Sequence, residues 1–214
     1  TIRKLGTTSN VDISNFSSIK FFDIYCKSEF NIIQSKNFLS IWNVSFLPTD
    51  IKNFALLRAN NKIILNYQLS RFSNAGTHCS FCIFFPTTFN SLETPEHFFF
   101  DCPVTKVLVE KYFDNFIEGQ TFNWKECFFK GAKVTDEKLR TYVNVEITLF
   151  THYLFSVRSL KKLPSSAGLI YHIALIKKVM FHSSKKYADI IKYMSKAKHG
   201  GFLSHLSYLE NLPH

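Results

Sequence analysis

Cys79, Cys82, His97 and Cys102 follow one another as C-x2-C-x14-H-x4-C, and thiolate and imidazole donors at that spacing are the makings of a metal site. Two cysteines three positions apart put both sulfurs on one side of a tight turn. A later His and Cys then close a tetrahedral shell, expected to hold one zinc ion per chain. Three thiolates and an imidazole leave no position for a water ligand, so the metal is expected to hold the fold rather than act on a substrate. The local order agrees. In Glu93-Thr94-Pro95-Glu96-His97 a threonine cap, a proline at the first helical position and a histidine one turn in mark a helix start. Cys102, just ahead of Pro103, falls at the start of the next helix, where free amides and the helix dipole favour a thiolate. The alternative is a set of ordinary buried cysteines with a core histidine. His78 competes as a ligand from its place beside Cys79, whereas Cys26 and Cys127 sit amid aromatics without a paired donor and read as inert core thiols. Glu93, Glu96 and Asp101 are the nearby carboxylates. Their expected work is helix capping and support of His97 from behind.

A second chemistry is carried by charge. Of a formal net charge of +10, nearly all lies between positions 151 and 200, where Arg158, Lys161, Lys162, Lys177, Lys178, Lys185, Lys186, Lys192, Lys196 and Lys198 face the single acid Asp189. A polyanion suits such a surface, because each cation that neutralises a phosphate releases condensed counterions. These ten residues are therefore the expected nucleic-acid contacts, with a merely solubilising lysine face as the alternative. Tyr171, Phe181, Tyr187 and Tyr193 are interleaved among them and could stack on bases, although their spacing suits core packing better.

The elements that position these residues are expected to be helices. The chain has 214 residues, 46% hydrophobic and 20% charged, with 24 Phe, and only 7 Gly and 6 Pro. Such scarcity of Gly and Pro argues against a sandwich or barrel and for long helical runs. The fold class is thus mainly α, a helical domain with a small embedded CCHC zinc-binding loop. Helical spacing recurs after Leu47-Pro48-Thr49-Asp50, again at Ile64, Leu65 and Leu69, and at Val104, Leu108 and Tyr112. Thr135, with Asp136 and Glu137 behind it, caps a helix of about seven turns whose face is Leu139, Val143, Ile147, Phe150, Leu154 and Val157, closed by Lys161, Lys162 and Pro164. Ser165 or Ser166 opens another, with Leu169, Ile173, Ile176 and Met180 inward. Residues 185–198 form the last, with Tyr187, Ile190, Ile191 and Met194 inward and its lysines outward. Weaker helical runs fall at 17–26 and 35–44. The organisation expected is one body of two lobes: 1–46 a polar lead-in with short helices, 47–115 the CCHC region with flanking helices, 116–214 the basic helical lobe. A chain that opens on Thr1 is expected to be a segment of a longer protein. Its most apolar stretch, around 143–157, is broken by polar residues and is shorter than a membrane span. Its first ten residues lack the apolar core of a secretory signal. Five cysteines, an odd number, suit thiols and metal ligands in a reducing compartment, so an intracellular place, nuclear or cytoplasmic, is expected.

The stretch Leu47-Pro48 through Phe54 and Arg58, Leu65-Asn66, Arg71-Phe72, Cys79-Ser80-Phe81-Cys82, Glu93-Thr94 and His97-Phe98-Phe99-Phe100-Asp101-Cys102-Pro103 resembles the zinc-binding region that follows the reverse transcriptase in non-LTR (LINE-type) retrotransposon polyproteins. The resemblance covers 47–113, about a third of the chain. It implies a non-catalytic module that holds template RNA or target DNA during target-primed reverse transcription. A docking module that packs against the polymerase domain of the same polyprotein is the alternative. An enzyme is not expected. No Asp-Asp pair for polymerase metals, no Gly-Lys-Ser/Thr phosphate loop and no His-x-Glu followed by Pro-Cys-x2-Cys occurs in the chain. Neither a membrane nor a small-molecule substrate is among the expected partners.

Overall fold

The structure, a computed structural model, describes residues 45–59, 62–70, 76–85, 91–113 and 123–196. The expected helical runs at 17–26 and 35–44, with Cys26, Lys198 and the side chain of Lys196, lie outside the described residues. What is described is all-α. Seven helices follow in order: α1 (Thr49–Ala59), α2 (Asn66–Leu69), α3 (Pro103–Phe113), α4 (Trp124–Lys130), α5 (Glu137–Ser159), α6 (Ser166–Ser183) and α7 (Lys185–Lys196). Among the described residues there is no strand, only an isolated antiparallel bridge between His78 and Leu92.

The boundaries follow from side chains that satisfy exposed amides. Asn123 accepts from the Glu126 amide at 3.0 Å to start α4, and Gly131, at φ 78°, ends it in the left-handed region that glycine enters without a Cβ clash. The cap of α5 is Asp136, whose carboxylate accepts from the Leu139 amide at 3.0 Å. That places the start one residue beyond the Thr135 cap expected from sequence; the acid both bonds the amide and meets the positive end of the dipole. Ser165, accepting from the Gly168 amide at 3.1 Å, caps α6.

α5 is the axis of the molecule. Its expected apolar face is buried from Leu139 to Leu154, with Val157 half-buried at its end, yet so is the rest of its middle: every residue from Thr141 to Thr151 is buried, Asn144, Glu146, Thr148 and Thr151 included. It is surrounded because α1, α4, α6 and α7 all pack on it. The buried polar groups find partners. Thr148 and Thr151 donate to the carbonyls of Asn144 and Ile147, both at 2.7 Å, the Asn144 side chain accepts from the Ala132 amide at 2.8 Å, and Arg58 of α1 donates to Thr151 at 2.9 Å. Glu146 accepts from the Tyr112 hydroxyl at 2.6 Å and is ion-paired with Lys177 of α6. A helix polar on one side can be fully buried only under such bookkeeping of donors and acceptors. One continuous apolar core results, running from Phe46 and Leu47 through the cysteines to Tyr187 and Met194. No helix among the described residues is long and apolar enough to cross a membrane.

Candidate metal centre

Two short extended stretches carry the first pair of cysteines. The Cys79 amide donates to Ser91 at 3.0 Å and the Glu93 amide to Thr77 at 2.9 Å, on either side of the His78–Leu92 bridge. Beyond Cys79 the chain turns sharply through Ser80 and Phe81 into a single 3-10 turn, Cys82–Phe84. The second pair comes from a helical start at Pro95 that widens into one π turn, His97–Asp101. Thr94 caps it, accepting from the His97 amide at 3.2 Å, as its place ahead of Pro95 predicts. The π turn is closed by the Cys102 amide donating to the His97 carbonyl at 2.6 Å. In an ordinary α-helix, residues five apart point well away from each other; the wider π turn stacks them. The x4 spacing therefore brings His97 and Cys102 to the same side.

The four side chains converge. Their ligand atoms all lie within 4.8 Å of one another: Cys82 Sγ is 3.3 Å from His97 Nε2 and 3.6 Å from Cys102 Sγ, and Cys79 Sγ is 3.9 Å from Cys102 Sγ. The three cysteines are buried in the same core cluster as Phe81, which is stacked on Phe98, with Phe99 and Phe128 beyond. This cluster can hold a metal ion. Without a cation the sulfurs cannot all carry charge. The Cys79 thiol, the His97 ring and the amides of Thr105 and Val104 at the start of α3 draw Cys102 down to about 4 against its burial. Cys79, bonded to that thiolate and buried, is pushed far up, and burial and the Cys102 charge push Cys82 up to about 11. A divalent ion removes the conflict by neutralising neighbouring thiolates.

The remaining candidates are placed apart from the cluster. His78 is exposed at the bridge and is not among the converging donors. Cys127 is buried in the core with its thiol pushed up by burial. Asp101 is exposed and paired with Lys125 at 3.0 Å. Glu93 corrects the expectation that it supports His97. Fully buried, it accepts from the Ser80 amide at 2.7 Å, the Asn66 amide at 2.7 Å and Arg158 at 2.8 and 3.1 Å. Asn66 adds bonds to the His78 carbonyl and the Ser80 hydroxyl. The turn between Cys79 and Cys82 is thus gripped from behind by Glu93, Asn66 and Arg158.

Arg158 and Lys177 correct the expectation that all ten cations face a polyanion. Arg158, with its side chain 12% exposed, is bound to Glu93 and Asn66. Lys177, 3% exposed, is paired with Glu146 and donates to the Tyr142 hydroxyl at 3.4 Å. The stripe itself carried the signal: Lys177 is four positions after Ile173 and three before Met180, on the inward face of α6. Lys161, Lys162, Lys185, Lys186 and Lys192 are exposed, and Lys178 is half-buried. Of the interleaved aromatics, Tyr187 is buried, Tyr193 bonds Asp136, and Tyr171 and Phe181 are exposed. No family model, no curated protein and no solved structure matches the chain.

Proposed function

We propose that this chain is a non-catalytic, zinc-stabilised nucleic-acid-binding module, of the kind that follows the reverse transcriptase in LINE-type polyproteins, working inside the cell on template RNA or target DNA. Zinc is favoured by donor type and by size. Bonds of about 2.3 Å to sulfur and about 2.0 Å to nitrogen give tetrahedron edges of about 3.8 Å between sulfurs and about 3.5 Å from sulfur to nitrogen, close to the 3.6 and 3.9 Å sulfur–sulfur and 3.3 Å sulfur–nitrogen separations of three of the donor pairs, with all four donors within 4.8 Å. Cys79, Cys82, His97 and Cys102 would be its four ligands, and a saturated shell supplies folding free energy rather than an activated water.

The observation that carries the nucleic-acid reading is the charge left over once Arg158 and Lys177 are committed to internal carboxylates. Lys161, Lys162, Lys185, Lys186 and Lys192 stay exposed, with Asp189 the only acid between 151 and 200. Phosphates neutralise such a surface without reading sequence, so affinity should fall steeply with salt and discriminate weakly among sequences. The test is metal content on the purified chain and on Cys82→Ser, followed by RNA and DNA binding across a salt series. One zinc per chain, lost with folding in the variant, and a steep salt slope that flattens when Lys185, Lys186 and Lys192 become Glu, are the expected results. Flat, weak affinity at all salt concentrations would refute the nucleic-acid role.

Docking against a polymerase domain is the second reading, and one observation favours it. Tyr171, Leu175 and Val179, spaced four apart on α6, are all exposed, and apolar stripes of that kind are used for protein contact. Zinc binding without nucleic-acid binding would select it.

A further inference from the structure

The 3-10 turn that follows Cys82 ends in side chains that the core does not use. Phe84 is 46% exposed and Phe85 44%, with Ile83 beside them and Leu92 exposed on the neighbouring stretch. A buried pair of rings needs no explanation; two adjacent phenylalanines left in water on a rigid turn do. The turn is rigid because the Ile83 amide returns to Cys79 at 3.2 Å and that of Phe85 to Cys82 at 2.9 Å, and because Glu93 holds Ser80 from behind.

The same Glu93 brings cations to this end of the molecule. Arg158, in the last turn of α5, reaches Glu93 at 2.8 Å, and Glu93 accepts from the Ser80 amide of the metal-bearing turn at 2.7 Å, so the end of α5 is tied to that turn, and Lys161 and Lys162 follow Arg158 by three and four residues. Both are exposed. Their backbone is unusual. The Lys162 amide returns to the Val157 carbonyl at 3.2 Å and the Lys161 amide to Arg158 at 2.9 Å, which closes the helix with Lys161 at φ 53°. That left-handed position is one that glycine fills at least cost. A lysine kept there, with no carboxylate paired to it among the described residues, points to a use for its charge.

Exposed rings on the metal-bearing turn and exposed cations on the helix end tied to it match one chemistry: a strand whose bases are unpaired and whose phosphates run on past them. Taking the nucleic-acid reading as its premise, we propose that Phe84 and Phe85 are a stacking platform for the bases of single-stranded RNA or DNA, with Lys161 and Lys162 on its phosphates. A duplex hides its base faces, so it would meet the lysines and not the rings.

The test uses the zinc-loaded chain and three fluorescent probes: a mixed-sequence single-stranded RNA, the same sequence as single-stranded DNA, and its DNA duplex. Stacking makes a contribution per base that corresponds to about tenfold or more in affinity. The double variant Phe84→Ala, Phe85→Ala is therefore expected to bind single strands about tenfold or more weakly, with duplex affinity, salt slope and zinc content unchanged. Lys161→Gly is expected to weaken all probes and lower the salt slope by about one, while its Tm stays the same or rises. Wild-type binding that is salt-sensitive but indifferent to the phenylalanine pair, or equally reduced on duplex, overturns this inference alone and leaves the rings to a protein contact. Failure of the wild type to bind any probe overturns the nucleic-acid reading with it.

Discussion

Glu93 is a fully buried carboxylate whose donors come from three separate stretches of chain: Asn66, Ser80 and Arg158. Groups that orient the ligands of a metal commonly govern affinity by about 10- to 100-fold, and Glu93 acts on the turn between two of them. Glu93→Gln keeps the shape and removes the charge. Zinc affinity, read by chelator competition, is expected to fall by about tenfold or more, with the helical signal retained in excess zinc. Unchanged affinity would restrict Glu93 to anchoring α5. The four donors were legible in the sequence because Cys and His at fixed spacing have few other uses. The grip behind them was not, since a Glu, an Asn and an Arg separated by up to 92 positions carry no shared local pattern. The exposed Phe84 and Phe85 were equally hidden, because an apolar residue in a sequence reads as core until a structure leaves it outside.

At the scale of elements, the α5–α6 contact is bound by an ion pair inside the core. Glu146 and Lys177 are both buried, and the Tyr112, Tyr142 and Tyr187 hydroxyls gathered at this site are pushed well up in pKa, by burial first and then by the Glu146 charge. Removing one partner of such a pair leaves an unmatched charge in an apolar interior, at a cost of about 3–5 kcal/mol. Lys177→Met is expected to destabilise by that order in urea unfolding, and adding Glu146→Leu should recover much of the loss. A double variant no better than the single one would show that the tyrosines, not the lysine, hold the carboxylate. Six of the seven helices were readable from periodicity, and the Thr94 and Ser165 caps from residue type; α4 with its Asn123 cap was not, and α5 is capped by Asp136 in place of Thr135. The enclosure of α5 was not, because a single apolar stripe says which face is buried first and nothing about helices arriving on the others. The π turn at His97–Asp101 was also out of reach, since the sequence there suits either helical winding.

For the molecule as a whole, acid should act through a pair of imidazoles where α5 meets α6. His152 and His172 approach to 3.3 Å between ring nitrogens, with Phe54 edge-on to the first and Tyr153 near the second. Burial holds both below the usual range, His172 down to about 4 with the His152 charge adding to the effect, against a smaller upward pull from Asp50. In the unfolded chain each would titrate near 6.5, so between about 6.5 and about 4 the unfolded state binds more protons. The stability is therefore complete above about pH 6.5 and is lost as pH falls toward 4. Unfolding midpoints measured across that window should decline, and decline less in His172→Gln; equal slopes in the two proteins would assign the acid sensitivity to the thiolate cluster instead.

The continuous core has a consequence for how this chain can be inherited. The Cys/His turns lean on α5 through Arg158, α1 reaches it through Arg58, and α6 and α7 close its other sides. A break between 115 and 116 thus parts α1 and the Cys/His turns from the face of α5 that they cover. Recombination that preserves this fold must carry the stretch from Phe46 to Met194 together.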